Sequence, residues 1–213
     1  MRFDDLLFMV GDQSCFDFAM VAQLSGESRE TLRSRLYQWR KAGRLIPLRR
    51  GMYAIAEPYR RIAIDPAVLS NRLYTPSYLS LQWALSFYGL IPEKTATYTA
   101  IATRVPRTFN NAFGTFAYFN IKQPAFFGYE SVKLGNEQIL LASPEKALLD
   151  LWHLNRGTWS MDRMREMRFQ NFEAVEPERL AEYANRFNSP RLLRTVELWN
   201  ELARTEQEGT VEL

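Results

Sequence analysis

Along the first sixty residues, apolar positions recur at helical intervals three times and then give way to two short apolar runs. Leu6, Leu7 and Val10 share one face of a segment from Phe3 to Val10, and Gly11 stands where a helix C-cap would. Asp17 is placed to cap a second helix over Phe18 to Leu24, which the Ser25-Gly26 turn stops. Ser28 opens a third, Arg29 to about Ala42, whose Leu32, Leu36 and Trp39 form a single apolar stripe at i, i+4 and i+7. After Ala42-Gly43, the runs Arg44 to Leu48 and Met52 to Ile55 flank Arg49-Arg50-Gly51 and predict a hairpin with a basic turn.

Beyond Glu57 the helical period is lost. Pro58 and Pro66 mark a junction, crossed by a short connecting helix from Pro66 to Leu73. Thr75-Pro76 predicts a cap and first-turn proline for a mostly apolar helix ending at Gly89. The texture then turns β-branched and aromatic in Thr97 to Thr103, Phe113 to Ile121, Phe126 to Leu134 and Gln138 to Leu141, which predicts three or four antiparallel strands. Ser143-Pro144 starts another helix, with Ala147, Leu148, Leu151 and Leu154 on its buried side. Helices over Pro177 to Phe187 and Pro190 to about Arg204 close the pattern, and Thr205 to Leu213 reads as a frayed end. The expected fold class is α+β: an N-terminal winged helix-turn-helix over residues 1–60, then a mixed domain over 61–213 with a small antiparallel sheet packed by helices.

Charge sharpens the first module. The formal net charge of +3 says little, but its placement matters, because local charge sets attraction to a polyanion. Residues 1–61 carry 11 basic against 7 acidic side chains, residues 62–172 carry 11 against 8, and residues 173–213 carry 5 against 9. From Ser28 to Arg61 the ratio is 10 to 2. Opposite the apolar stripe of the third helix lie Glu30, Ser34, Tyr37 and Lys41, with Gln38 beside them and Arg29, Arg33 and Arg40 on one flank. Arginine and glutamine can bond base edges, while serine, tyrosine and lysine suit phosphate. Arg35 points elsewhere, toward pairing with an acid. Arg49 and Arg50 in the hairpin turn are placed to meet phosphate or the minor groove. The plainer alternatives are a solvated helix face and charges that protect an edge hairpin from pairing.

Other chemistry is sparse. One cysteine, Cys15, and one histidine, His153, supply neither an internal disulfide nor a soft-ligand metal site. Glu145, Lys146, Asp150 and His153 share a helix, yet a lysine and an aspartate four apart usually form an ion pair rather than a catalytic couple. The dense aromatics Phe109, Phe113, Phe116, Tyr118, Phe119, Phe126, Phe127 and Tyr129 suit a core or a protein-binding face better than base stacking. With no glycine-rich phosphate loop, nucleophile elbow or His-Glu-x-x-His, the expectation is a binding protein rather than an enzyme, without cofactor or metal. Neither an 18-residue apolar run nor a basic-then-apolar leader is present, so a soluble cytoplasmic protein is expected.

Three stretches resemble the AbiEi family of antitoxins from bacterial abortive-infection toxin-antitoxin pairs. They are Lys41 to Ile46 with Arg49 to Ile55, then Tyr78 to Pro92, reading YLSLQWALSFYGLIP, then Ser143 to Asp150, reading SPEKALLD. The resemblance spans residues 41–150. It implies a winged-helix domain that binds an inverted-repeat operator in double-stranded DNA and represses its own operon. It also implies a carboxy-terminal domain that helps repression and antagonises a nucleotidyltransferase-like toxin. By position it reaches Arg49, Arg50 and the helix before them, and no catalytic residue. The alternative is a free-standing winged-helix regulator whose second domain senses a small ligand. An enzyme such as a nuclease would rest on the scattered carboxylates Glu137, Glu145 and Asp150.

Overall fold

A computed structural model of the chain describes residues 1–211. Three helices come first: α1 (Phe3–Val10), α2 (Phe18–Ser25) and α3 (Arg29–Lys41). A two-residue strand, β1 (Phe16–Asp17), precedes α2, and the hairpin β2 (Leu45–Arg49) and β3 (Met52–Ile55) follows α3. These strands form an antiparallel sheet in the order β1-β3-β2. Pro47 lies on the edge strand β2, where its missing N–H removes no bond between strands. Phe3, Leu6, Val10, Phe16, Val21, Leu32, Leu36, Leu45 and Ile55 make one core, as the helical and hairpin periods predict. Full burial of Leu32 and Leu36 contributes roughly 1.5–3 kcal/mol each.

The hairpin is covered on both sides. Strand alternation sends Tyr53 and Ile55 toward the three helices, while Met52 and Ala54 face the other way, into a cluster with Leu48, Leu69, Leu73, Tyr74, Ala100, Ala102, Phe116 and Tyr118. Leu48 is the extra residue of a β-bulge between Pro47 and Arg49, and the bulge re-aims the strand so that Leu48 joins this second cluster. An apolar seam therefore joins the first sixty residues to the rest. Asn111 Nδ2 donates to the Leu48 carbonyl at 3.3 Å and Arg72 Nη1 donates to Ser14 Oγ at 2.8 Å across it.

The connecting helix is present as α4 (Pro66–Leu73), capped by Asp65. The helix expected from Thr75-Pro76 is not: the next residues form the strand β4 (Ser77–Leu79), and α5 (Leu81–Phe87) begins only after it. Every residue of β4 is buried, so the strand shows no alternation and merges with the apolar helix behind it. Thr99 supplies the cap for α5, accepting from the Trp83 amide at 3.1 Å while donating to the Ser80 carbonyl at 2.7 Å.

β4 is central in a six-stranded sheet with β5 (Thr97–Ala102), β6 (Arg107–Asn111), β7 (Gly114–Asn120), β8 (Tyr129–Leu134) and β9 (Glu137–Ala142). The order is β6-β7-β5-β4-β9-β8, with β4 parallel to β9 and β5 parallel to β7. The sheet is thus larger than the small antiparallel one expected, and mixed. Two features hid it: β4 is short and wholly buried, and β6 is a polar edge strand whose single large apolar residue is Phe109. The dense aromatics divide between core positions, such as Phe116 and Tyr118, half-buried ones and the exposed Phe119, without forming one exposed face.

Both faces of the sheet are covered. Ala100 and Ala102 meet α4 and the hairpin, whereas Ile101 meets α5 and α6 (Pro144–Leu154). On α6 pack α8 (Pro177–Arg186) and α9 (Pro190–Val211), and α7 (Met161–Glu166) packs on α9, with Leu192, Val196, Trp199 and Leu202 of α9 buried. The helix α9 runs past the expected end at Arg204, so residues 205–211 are helical rather than frayed; Glu212 and Leu213 lie outside the described residues.

Candidate nucleic-acid interface

The connection between α2 and α3 is held by local chemistry. Asp17 Oδ1 accepts from the Met20 amide at 2.7 Å, Ser28 Oγ accepts from the Thr31 amide at 3.2 Å, and Gly26 turns the chain at φ +63°. That conformation is costly for a residue with a Cβ. With Leu32 and Leu36 buried, Arg29, Arg33, Ser34, Tyr37, Gln38, Arg40 and Lys41 are all exposed, as is Glu30. Two rings organise the cations. The Arg29 and Arg33 guanidinium groups each lie 5.6 Å from the Phe18 ring centre, while Arg40 and Lys41 lie 5.3 and 5.4 Å from that of Tyr37. Arg35 instead pairs with Glu27 at 3.3 Å, in line with its expected role.

Phe18 also ties the hairpin turn to this flank. Its amide donates to the Gly51 carbonyl at 2.8 Å, so the Arg50-Gly51 turn sits beside the ring that carries Arg29 and Arg33. Arg50 is exposed and its side chain has no partner among the described residues. Arg49 differs. It is half-buried, and its Nε donates to the Leu73 carbonyl at the end of α4 at 2.7 Å, with Nη1 3.3 Å from the Arg50 carbonyl. Sequence position treated the two arginines alike; the bulge at Leu48 turns one of them onto the rest of the protein.

Ser34 and Gln38 occupy a different side of α3 from the Phe18 flank. Together with Arg2, Thr31, Trp39 and Arg44 they line an open recess of about 630 Å³. The Arg44 guanidinium lies 5.0 Å from the Phe3 ring and 5.7 Å from the Tyr59 ring. The α3 residues singled out from sequence thus fall into an arginine flank next to the hairpin turn and a neutral polar strip beside the amino terminus.

Arg104 and Arg107 escaped the sequence argument. They lie in and just after the β5–β6 loop, some fifty residues from the hairpin turn, yet they share a recess with Arg49 and Arg50. Their signal was two arginines three apart in a segment with little apolar character.

The charges of α6 behave in the opposite way. Glu145, Lys146 and Asp150 are wholly buried. Lys146 pairs with Asp150, which also accepts from Tyr78 Oη at 3.0 Å and Ser80 Oγ at 2.8 Å. Glu145 accepts from Ser143 Oγ at 2.7 Å and from the Glu176 amide at 2.9 Å. Burial pushes the Lys146 pKa below its ordinary value against the opposing pull of Asp150. Burial also raises the Tyr78 phenol, helped by the Asp150 charge. Lys146, Asp150, Tyr78 and Ser80 are occupied with one another, which suits a device that locks α6 to β4, whereas Glu145 turns to α8, where the Arg179 guanidinium lies 3.9 Å away. Glu137 is remote from them, paired with Arg72 at 3.2 Å on the surface. The described residues contain no cluster of three or more His, Cys, Asp or Glu able to hold a metal ion.

Among the described residues no helix is long and apolar enough to cross a membrane. Neither a family model nor a curated protein sequence matches the chain.

Proposed function

We propose that the first sixty residues act as a winged helix-turn-helix that binds duplex DNA. In this reading α3 enters the major groove and the β2–β3 turn rests on the phosphate backbone. The observation that carries it is the role of Phe18, whose ring lies against Arg29 and Arg33 while its backbone holds the Arg50-Gly51 turn. A base-reading helix and a phosphate-gripping wing must act on one side of the protein, and this residue ties the backbone of the turn to the ring that carries two arginines of the helix. Gln38 and Arg33, both exposed, are the residues assigned to base edges, and Ser34 is assigned to phosphate. Tyr37, Arg40, Lys41, Arg29 and Arg50 contact backbone.

The biological role we propose is that of an antitoxin that represses its own operon and opposes a nucleotidyltransferase-like toxin. It is supported by the resemblance of residues 41–150 to the AbiEi family. The decisive experiment is a gel shift at several salt concentrations with DNA from upstream of the chain's own gene and a scrambled duplex of equal length. Preferential binding that weakens steeply with salt is expected. Equal, weak binding to both duplexes would remove the repressor role. The antitoxin role is tested separately, by whether co-expression relieves toxicity of the product of the adjacent gene.

A further inference from the structure

Arg49, Arg50, Arg104 and Arg107 line one recess of about 520 Å³ together with Leu73, Tyr74, Thr75, Val105 and Phe109. Four of its lining residues are arginines and none carries a carboxylate. Several other arginines do meet acids, as Arg35 with Glu27, Arg60 with Glu57, Arg72 with Glu137, Arg168 with Glu93 and Arg179 with Glu176. Mutual repulsion in the recess is left unrelieved by the chain itself.

The cluster is also ordered. Arg49 is held by the Leu73 carbonyl at 2.7 Å. Arg104 is held by the Thr75 carbonyl at 3.2 Å and lies 4.7 Å from the Tyr74 ring centre, while Tyr74 Oη donates to the Val105 carbonyl at 2.9 Å. A solvated surface arginine needs none of this bracing. The side chains of Arg50 and Arg107 have no partner among the described residues and keep all their donors free. Two braced and two free arginines lining one recess match a ligand with several anionic oxygens in tetrahedral array better than a single carboxylate, which two forks would saturate.

We propose that this recess is a phosphate-binding site, built jointly by the hairpin turn and the β5–β6 segment. The phosphate can come from a duplex backbone lying past the hairpin turn or from a free phosphorylated small molecule. The first source rests on the DNA-binding reading above; the second does not.

The test uses the full chain, Arg107→Ala, and the pair Arg104→Gln with Arg107→Ala. Arg107 has no partner to lose, so its unfolding midpoint in urea should equal that of the wild type and separates site from fold. Inorganic pyrophosphate is titrated calorimetrically at low salt, and the salt dependence of duplex binding is measured in parallel. Pyrophosphate binding weakened at least tenfold in the double variant, but not in Arg33→Ala, supports the site with a free ligand. A log-log salt slope reduced by about one in Arg107→Ala, without pyrophosphate binding, supports it with backbone phosphate as the source. Wild-type affinity and slope for duplex in both variants, together with no pyrophosphate binding or binding that the variants leave intact, overturns the site while leaving the DNA-binding reading standing. If no duplex binds the wild type, that reading fails and the pyrophosphate titration alone decides the site.

Discussion

Helices α3 and α6 begin the same way and end up as opposites. Each starts at a serine whose hydroxyl accepts from the third helical amide, Ser28 from Thr31 and Ser143 from Lys146, and each carries charges along its length. Yet α3 turns its arginines to solvent, whereas α6 buries every residue from Glu145 to Trp152. The difference lies in how many sides are covered. One face of α3 meets the first core and the rest is open. α6 has the six-stranded sheet on one side, α5 on another and α8 and α9 beyond, so its polar residues have no route to water. Charge on a helix marks an interface only where the helix has a free side; where it has none, the same charge must be neutralised by packed neighbours, as Asp150 neutralises Lys146 and Arg179 of α8 meets Glu145.

The sharpest way to break this contrast is to remove one partner from the buried pair. The Lys146 ammonium lies among the rings of Tyr78, Phe127 and Phe187, 5.4, 5.2 and 5.0 Å from their centres, and Asp150 is its counter-charge. The chain makes room for the lysine stem at Gly128, where a Cβ would stand 3.1 Å from it and 2.8 Å from the Tyr183 ring. Asp150→Ala strands the ammonium and should cost about 3–5 kcal/mol of stability in urea unfolding. Lys146→Met combined with Asp150→Asn keeps an acceptor for Tyr78 and Ser80 and removes both charges; it should cost no more than about 1–2 kcal/mol. Equal losses for the two constructions would mean that packing of α6, not charge balance, sets the cost.

On α3 the prediction inverts: function changes and stability does not. Arg33→Ala and Gln38→Ala should each narrow the preference for upstream DNA over a scrambled duplex by roughly 1–3 kcal/mol. Their unfolding free energies should stay within about 0.5 kcal/mol of the wild type. A loss of stability with unchanged gel shifts would place α3 among the structural helices beside α6.

Arg49 and Arg50 put the contrast within two adjacent residues. Arg49 braces α4 through the Leu73 carbonyl, and Arg50 has no partner. Arg49→Ala should lower stability by about 1–2 kcal/mol. Arg50→Ala should leave stability alone and reduce the salt slope of duplex binding by about one. Identical behaviour of the two variants would dissolve the distinction that the bulge at Leu48 creates.

What the sequence discloses follows the range of the interaction. Caps at Asp17, Ser28 and Ser143, the turn at Gly26 and the basic hairpin are settled within a few residues, and their pattern reads directly. β4 does not, since Thr75-Pro76 imitates a helix start and the decision for a strand comes from β5 and β9 on either side. Burial of Lys146 and Asp150 is equally hidden, because an i, i+4 ion pair has the same spacing on a surface as in a core. The tether on Arg49 and the company of Arg104 and Arg107 depend on how the hairpin docks against the sheet, which no local pattern encodes.

The smallest expected effect lies at the end of α6, where the helix regains a free side. His153, the chain's only histidine, is half-buried with its ring 5.1 Å from that of Phe187. Burial lowers its pKa; Asp150 opposes this, and Arg191, Lys146 and Lys122 add to it. The unfolded chain therefore takes up its proton near the ordinary value of about 6.5, while the folded chain resists until lower pH. Stability should fall as pH drops from about 6.5 toward the depressed pKa and level off below it. The difference between wild type and His153→Gln isolates that one proton, and the single imidazole can be followed by NMR. A midpoint below 6.5 means that Lys146 already neutralises Asp150 and leaves little attraction for a second cation. A midpoint above 6.5 would mean that the carboxylate still acts beyond its own pair, and the interior of α6 would then be less self-contained than its geometry indicates.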